Sequence, residues 1–138
     1  MNGIETTIRS RREEFARIVD AVDSFAIEHH LPADIVGDVQ VALDEVLTNI
    51  VDYGYADNAE HEIRVRLSLS DGMLEAAIED DGVPFNPLES PKPDTRAPLH
   101  QRRLGGVGLH FVKSLMIEVS YERVGRFNRL VLKKKLGA

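Results

Sequence analysis

The stretch DEVLTNIVDYGY, residues 44–55, decides how this chain is read. Val46, Leu47 and Ile50 extend an apolar row begun by Ile35, Val39 and Ala42, and the spacings of three and four belong to one face of an α-helix. Yet Asp44, Glu45, Asn49 and Asp52 interrupt that helix at regular intervals. Glu45 and Asn49 are four residues apart, so a helix stacks them one above the other, with Asp52 and Tyr53 a turn further along. A carboxylate and an amide withdrawn from water without partners are costly. Either this stripe faces solvent or it meets a ligand.

Working outward, the helix is predicted from about Ala33 to about Val51, with Pro32 suited to its first turn. Before it, Phe15, Ile18, Val19, Val22, Phe25 and Ala26 predict an amphipathic helix, with Ser10 as N-cap and Glu13 completing a capping box. IETTI, residues 4–8, predicts a short strand. After the turn-rich YADNAEH the period falls to two: Ile63, Val65, Leu67 and Leu69, then Leu74, Ala76 and Ile78 beyond an SDG turn, a hairpin with one buried face. From Asp81 to about Leu104 no periodicity survives, and prolines stand at 84, 87, 91, 93 and 98. A third helix is predicted from about Gly106 to Met116, then strands EVSYERV and RLVLKKK around a turn at Gly125. The expected fold class is α+β, a two-layer sandwich with helices on one face of a mostly antiparallel sheet. One domain is expected over residues 1–138.

Composition narrows the function. A net charge of −6 argues against nucleic acid as the main partner, because phosphate binding wants a basic face. The basic clusters at Arg9, Arg11 and Arg12 and at Lys133, Lys134 and Lys135 read as solvated charge. Cysteine is absent, which removes disulfides, thiolate metal sites and a cysteine nucleophile. No apolar run approaches the roughly 18 residues of a membrane span, and MNGIETTIRSRREEF lacks a signal-peptide core. The expected location is cytoplasmic, with no membrane partner.

Two further stretches carry chemistry. In IEDDGVPFNP, residues 78–87, a strand ends in two aspartates and Gly82 frees the backbone for a sharp turn. This is a plain Asp-Gly turn, or a carboxylate placed to accept a hydrogen bond from an exocyclic amine such as that of adenine. In RRLGGVGLHFVKSLM, residues 102–116, Gly105, Gly106 and Gly108 stand where a long loop becomes a helix. They form a hinge, or leave backbone N–H groups uncovered as an anion site. The G-x-x-x-x-G-K-[ST] phosphate loop is missing, and so is the strand–glycines–helix dinucleotide fingerprint.

Taken together and in this order, the three stretches resemble the boxes of the ATP-binding domain shared by gyrase, sensor histidine kinases and MutL. Within it the chain resembles the small serine kinases that act as anti-sigma factors in bacterial partner switching. DEVLTNIVDYGY is similar to the N-box, E-x-x-x-N; DDGVPF to the D-x-G-x-P/G box; GGVGLHFVKSLMIEVSY to the G-x-G box with its following helix and strand. The resemblance spans about residues 4–135.

The resemblance implies a histidine kinase-like ATPase fold, ATP and Mg²⁺ as cofactors, and a role for each residue. Glu45 is the implied general base toward a serine or threonine hydroxyl, and Asn49 the ligand of Mg²⁺. Asp80 reads the adenine amine and Gly82 opens the ring slot. Gly105, Gly106, Val107, Gly108 and Leu109 hold the nucleotide at the helix N-terminus. Residues 86–104 form the lid, a length at which structureless loops are usually functional or disordered. Arg102 and Arg103 are candidate phosphate clamps. The implied function is an ATP-dependent serine/threonine kinase that phosphorylates a small antagonist protein and sequesters a sigma factor or similar regulator. A homodimer is the expected assembly. The alternative is a module whose partner binding is gated by ATP or ADP, with phosphotransfer weak or lost.

The sequence also departs from the family pattern. Tyr53 stands where many relatives carry His, and Asn128, in RFNRL, where some carry Thr. HEIR at His61 opens an alternating strand rather than a dimerisation helix, and His29, His30, His100 and His110 read as structural or surface residues.

Overall fold

The computed structural model describes residues 3–55, 57, 59–84, 86 and 112–137. Among them strand β1 runs Gly3–Arg9, a 3-10 turn Arg12–Glu14, helix α1 Phe15–His29 and helix α2 Ala33–Tyr53. Strands β2 (Glu62–Ser70) and β3 (Met73–Asp80) follow, then the helical residues 112–115, and finally β4 (Glu118–Val124) and β5 (Phe127–Lys135). The strands form one sheet in the order β1-β2-β3-β5-β4, every neighbouring pair antiparallel.

Alternation along the strands fixes which face is covered. Ile8, Ile63, Val65, Leu67, Leu74, Ala76, Ile78, Leu130 and Leu132 all lie buried beneath the helices. The helices answer with Ile18, Val22 and Phe25 of α1, Val39, Leu43, Val46 and Leu47 of α2, and Val112 of the helical residues 112–115. Each such side chain stabilises the fold by roughly 1.5–3 kcal/mol relative to exposure. The opposite face carries interlocked charges, Arg64 between Glu5 and Glu79 and Lys133 against Glu118. This is the expected two-layer α+β class.

The β2–β3 connection turns on Asp71 and Gly72, with φ of 52° and 74°. Positive φ at both central residues matches the right-handed twist of the flanking strands. Helix α1 ends on His30 in the left-handed conformation, φ 55° and ψ 46°, while Leu31 N–H donates to the Ala26 carbonyl.

The start of α1 differs from expectation. The hydroxyl of Ser10 accepts the His61 main-chain N–H at 2.9 Å, so it is not free to cap a helix. Glu14, rather than Glu13, reaches back to the Arg9 N–H at 3.0 Å. The chain therefore makes a 3-10 turn before α1 begins at Phe15. Pro32 stands at the N-cap of α2 rather than inside its first turn, and α2 continues two residues past Val51.

The basic clusters make internal pairs. Arg11 meets Glu60 and Arg12 meets Asp52. Lys134 donates to Asp38 at 2.8 Å and to the Leu115 carbonyl at 2.6 Å, tying β5 to α2 and to the helical residues 112–115.

Candidate functional site

Helix α2 presents Glu45 and Asn49 one turn apart. Asn49 is buried, 7% exposed, and its Nδ2 donates to the Glu45 main-chain carbonyl at 2.8 Å. A carbonyl only accepts, so the NH₂ side of the amide is fixed against the helix and Oδ1 is turned away from it. The Glu45 side chain is half-buried and makes no hydrogen bond or ion pair with the other described residues. Asp52 of the same stripe has a structural partner: Arg12 donates to both its oxygens, at 2.9 and 2.8 Å. Asp44 and Tyr53 are exposed.

The C-terminal end of α2 meets the turn after β3. Val83 N–H donates to the Gly54 carbonyl at 2.8 Å. A Cβ on Gly82 would fall 2.2 Å from that same oxygen, so glycine is required for the contact itself. Asp80, 5% exposed, accepts the Gly82 N–H on Oδ1 at 2.8 Å and the Asn128 Nδ2 on the same oxygen at 3.1 Å. Burial pushes the Asp80 carboxyl above its usual range and Asp81 adds to this, while the bonds from Asn128 and Gly82 and the charge of Arg123 pull the other way.

Strands β4 and β5 brace this turn from the far side. Asn128 lies opposite Asp80 in the β3–β5 register and also donates to the Val83 carbonyl at 2.9 Å. Tyr121 donates its hydroxyl to Asn128 Oδ1, and Arg123 Nη1 donates to the Gly82 carbonyl at 2.8 Å.

Beside the turn, His61 bridges two acids: Nδ1 lies 3.1 Å from Asp81 and Nε2 2.7 Å from Asp57. Carboxylates only accept, so satisfying both contacts requires the imidazolium. The bond to Asp57 raises the His61 pKa above its ordinary value, with smaller support from Asp81. Tyr55 stacks on the imidazole, centroids 4.1 Å apart and planes 5° from parallel. Its hydroxyl is buried without a hydrogen bond among the described residues, and burial pushes its pKa well up.

Sequence reasoning named Glu45, Asn49, Asp80 and Gly82, and the structure joins the helix bearing the first pair to the turn bearing the second. Gly54, Tyr55, Tyr121 and Arg123 escaped it, because each acts through a partner distant in the chain. Gly105, Gly106, Val107, Gly108 and Leu109 lie outside the described residues, as do Arg102, Arg103, His100, His110 and all of the expected lid except Asn86. His29 packs on the Phe25 ring, and His30 ends α1.

Chemically, the site offers an amide oxygen, a carboxylate unengaged among the described residues and a buried acceptor. No group of three or more potential metal ligands occurs among the described residues. A divalent cation at Asn49 therefore needs most of its ligands from bound phosphate and water, and Mg²⁺ is the ion that accepts few protein ligands. The hard oxygen donor of Asn49 fits that ion.

The fold and these boxes define a nucleotide-binding ATPase domain. The chain matches the family described as histidine kinase-like ATPase domain over residues 8–134 and belongs to it. It is 28% identical over 138 residues to an anti-sigma F factor of Clostridium beijerinckii, covering 96% of this chain and 92% of the relative. An anti-sigma F factor of Bacillus subtilis is 24% identical over 119 residues, covering 86% of this chain and 80% of the relative. The serine-protein kinase RsbW of Oceanobacillus iheyensis is 34% identical over 87 residues, 59% of this chain and 54% of that one. Among solved structures, the RsbU and RsbW domains of a Mycobacterium tuberculosis protein share the fold with a TM-score of 0.71 at 17% identity, over 99% of this chain and 32% of that chain. No described helix is long and apolar enough to cross a membrane.

Proposed function

We propose that this chain is an ATP-dependent serine/threonine protein kinase with an anti-sigma regulatory role, phosphorylating a small antagonist protein and sequestering a sigma factor or similar regulator. The observation that carries the reading is the hydrogen bond from Val83 to Gly54, which couples the Glu45–Asn49 helix to the turn holding the buried Asp80. A carboxylate, an oxygen ligand and a buried amine acceptor on two joined elements suit a purine nucleotide with its metal. Relatives named as anti-sigma F factors and as a serine-protein kinase support the regulatory part.

In this reading Asn49 Oδ1 would hold Mg²⁺, and the second Asp80 oxygen would accept the exocyclic amine of adenine. Mg-ATP, when bound, supplies an activated phosphoryl group. Glu45, which makes no ion pair with the other described residues, takes the proton of the substrate hydroxyl as a general base. The nucleotide roles of Gly105, Gly106, Val107, Gly108 and Leu109, the lid and the homodimer rest on the sequence resemblance alone.

Titration calorimetry tests the nucleotide site. Mg-ATP should bind in preference to Mg-GTP, because guanine places a carbonyl oxygen where adenine carries its amine. Asp80→Asn keeps an oxygen for Gly82 and Asn128 but removes the charge, and should weaken ATP roughly tenfold or more, the loss of a hydrogen bond to a charged group. Equal binding of ATP and GTP, or of neither, contradicts the assignment.

A further inference from the structure

The turn after β3 is anchored at both ends. The Gly82 N–H donates to the Asp80 carboxylate at 2.8 Å, and the Val83 carbonyl accepts from Asn128 at 2.9 Å. Between these anchors lies one peptide unit, made of the Gly82 carbonyl and the Val83 N–H. Its N–H donates to the Gly54 carbonyl at the end of α2, and its carbonyl accepts from Arg123 Nη1 of β4, both at 2.8 Å. A trans peptide points these two groups in opposite directions, so this single unit bridges α2 to β4.

The two bonds are unequal. The bond from Arg123 is charge-assisted, and such bonds are roughly twice as strong as neutral ones. It is also partly buried, where water competes less. The bond to Gly54 is neutral, and Gly82, lacking a Cβ, leaves the peptide free to rock about it. Accepting from a cation also polarises the peptide and strengthens its N–H as a donor. Arg123 forms no ion pair with the described residues; besides Gly82, it donates from Nε to the Gly125 carbonyl of its own hairpin at 3.1 Å. Its charge reaches Asp80 as well: burial pushes that carboxyl up, and Arg123 pulls against it.

We propose that Arg123 is a positioning residue of the nucleotide site: by fixing the Gly82–Val83 peptide it sets the register between the helix bearing Glu45 and Asn49 and the turn bearing Asp80. This rests on the reading of those residues as a nucleotide site. A nucleotide that meets Asn49 through its metal and Asp80 through its base spans both elements, so an error in their spacing costs affinity. Without the guanidinium the peptide keeps only its weaker, neutral partner.

The test compares wild type, Arg123→Met and Arg123→Lys by Mg-ATP calorimetry and by amide hydrogen exchange, with thermal unfolding as a check on folding. Arg123→Met keeps an apolar stem and removes every donor. Its Val83 amide should exchange about tenfold faster, while the core amides of Val65 and Leu132 change less. Its Mg-ATP affinity should fall about tenfold, the loss of one charge-assisted hydrogen bond. A single donor meets the Gly82 carbonyl, so the ammonium of Arg123→Lys should recover most of both effects. A Val83 amide in Arg123→Met that changes no more than the core amides, unchanged Mg-ATP affinity, or no recovery in Arg123→Lys overturns the role of Arg123 and leaves the nucleotide reading intact. A wild-type chain that does not bind Mg-ATP overturns both.

Discussion

Gly82 stands with its missing side chain aimed at the main-chain oxygen of Gly54: a Cβ there would lie 2.2 Å from it. The end of α2 and the turn after β3 touch backbone to backbone, and the Val83–Gly54 hydrogen bond forms only because nothing intervenes. Gly82→Ala should therefore cost about 1–3 kcal/mol, the usual range for overpacking. Thermal or urea unfolding measures it, and Mg-ATP affinity should fall with it. An unchanged midpoint would mean that the contact yields easily.

Asp52 sits on the same stripe as Glu45 and Asn49 but is occupied by Arg12. Both side chains are partly exposed, so the pair should contribute less than about 1 kcal/mol. Asp52→Asn should leave Mg-ATP affinity unchanged, whereas Asn49→Ala should weaken metal-dependent nucleotide binding. Calorimetry with and without Mg²⁺ separates them; a loss of ATP binding in Asp52→Asn would place that residue in the site.

His61 gives the fold a pH dependence. Its folded pKa is raised, chiefly by the bond to Asp57. Stability from the imidazolium is thus fully present below the unfolded value near 6.5, and is lost as pH rises through the higher folded value. At the acid end the contribution fades again as Asp57, held low mainly by His61, becomes protonated. The midpoint advantage of the wild type over His61→Asn, followed from pH 5.5 to 9 at about unit steps, should shrink toward alkaline pH. A constant advantage would mean that folding leaves the His61 pKa unshifted.

The β2–β3 hairpin is legible in the sequence because its information is local: Ile63, Val65 and Leu67 alternate, and Asp71-Gly72 supplies the two positive φ angles. Glu45, Asn49, Asp80 and Gly82 are legible because their spacing is short and their types are costly to bury. The start of α1 is not, since the letters of a capping box at Ser10 and Glu13 do not reveal that His61, 51 positions away, claims the hydroxyl. The bracing of Asp80 by Asn128 depends on a strand register 48 residues apart, and Tyr121 enters only through Asn128. Local pattern carries the elements; long-range register carries the electrostatics of the site.

The proposed kinase requires Glu45 to act as a base rather than as surface charge. General-base assistance is typically worth about 10² to 10⁴ in rate. The direct measurement is transfer of radiolabel from ATP to a serine or threonine of a cognate antagonist protein, in the wild type and in Glu45→Gln, with Mg-ATP affinity determined in parallel. Transfer should fall by about that factor in the variant while affinity stays near wild type. Undetectable transfer in the wild type, or undiminished transfer in Glu45→Gln, would contradict the kinase and favour an ATP-gated binding module.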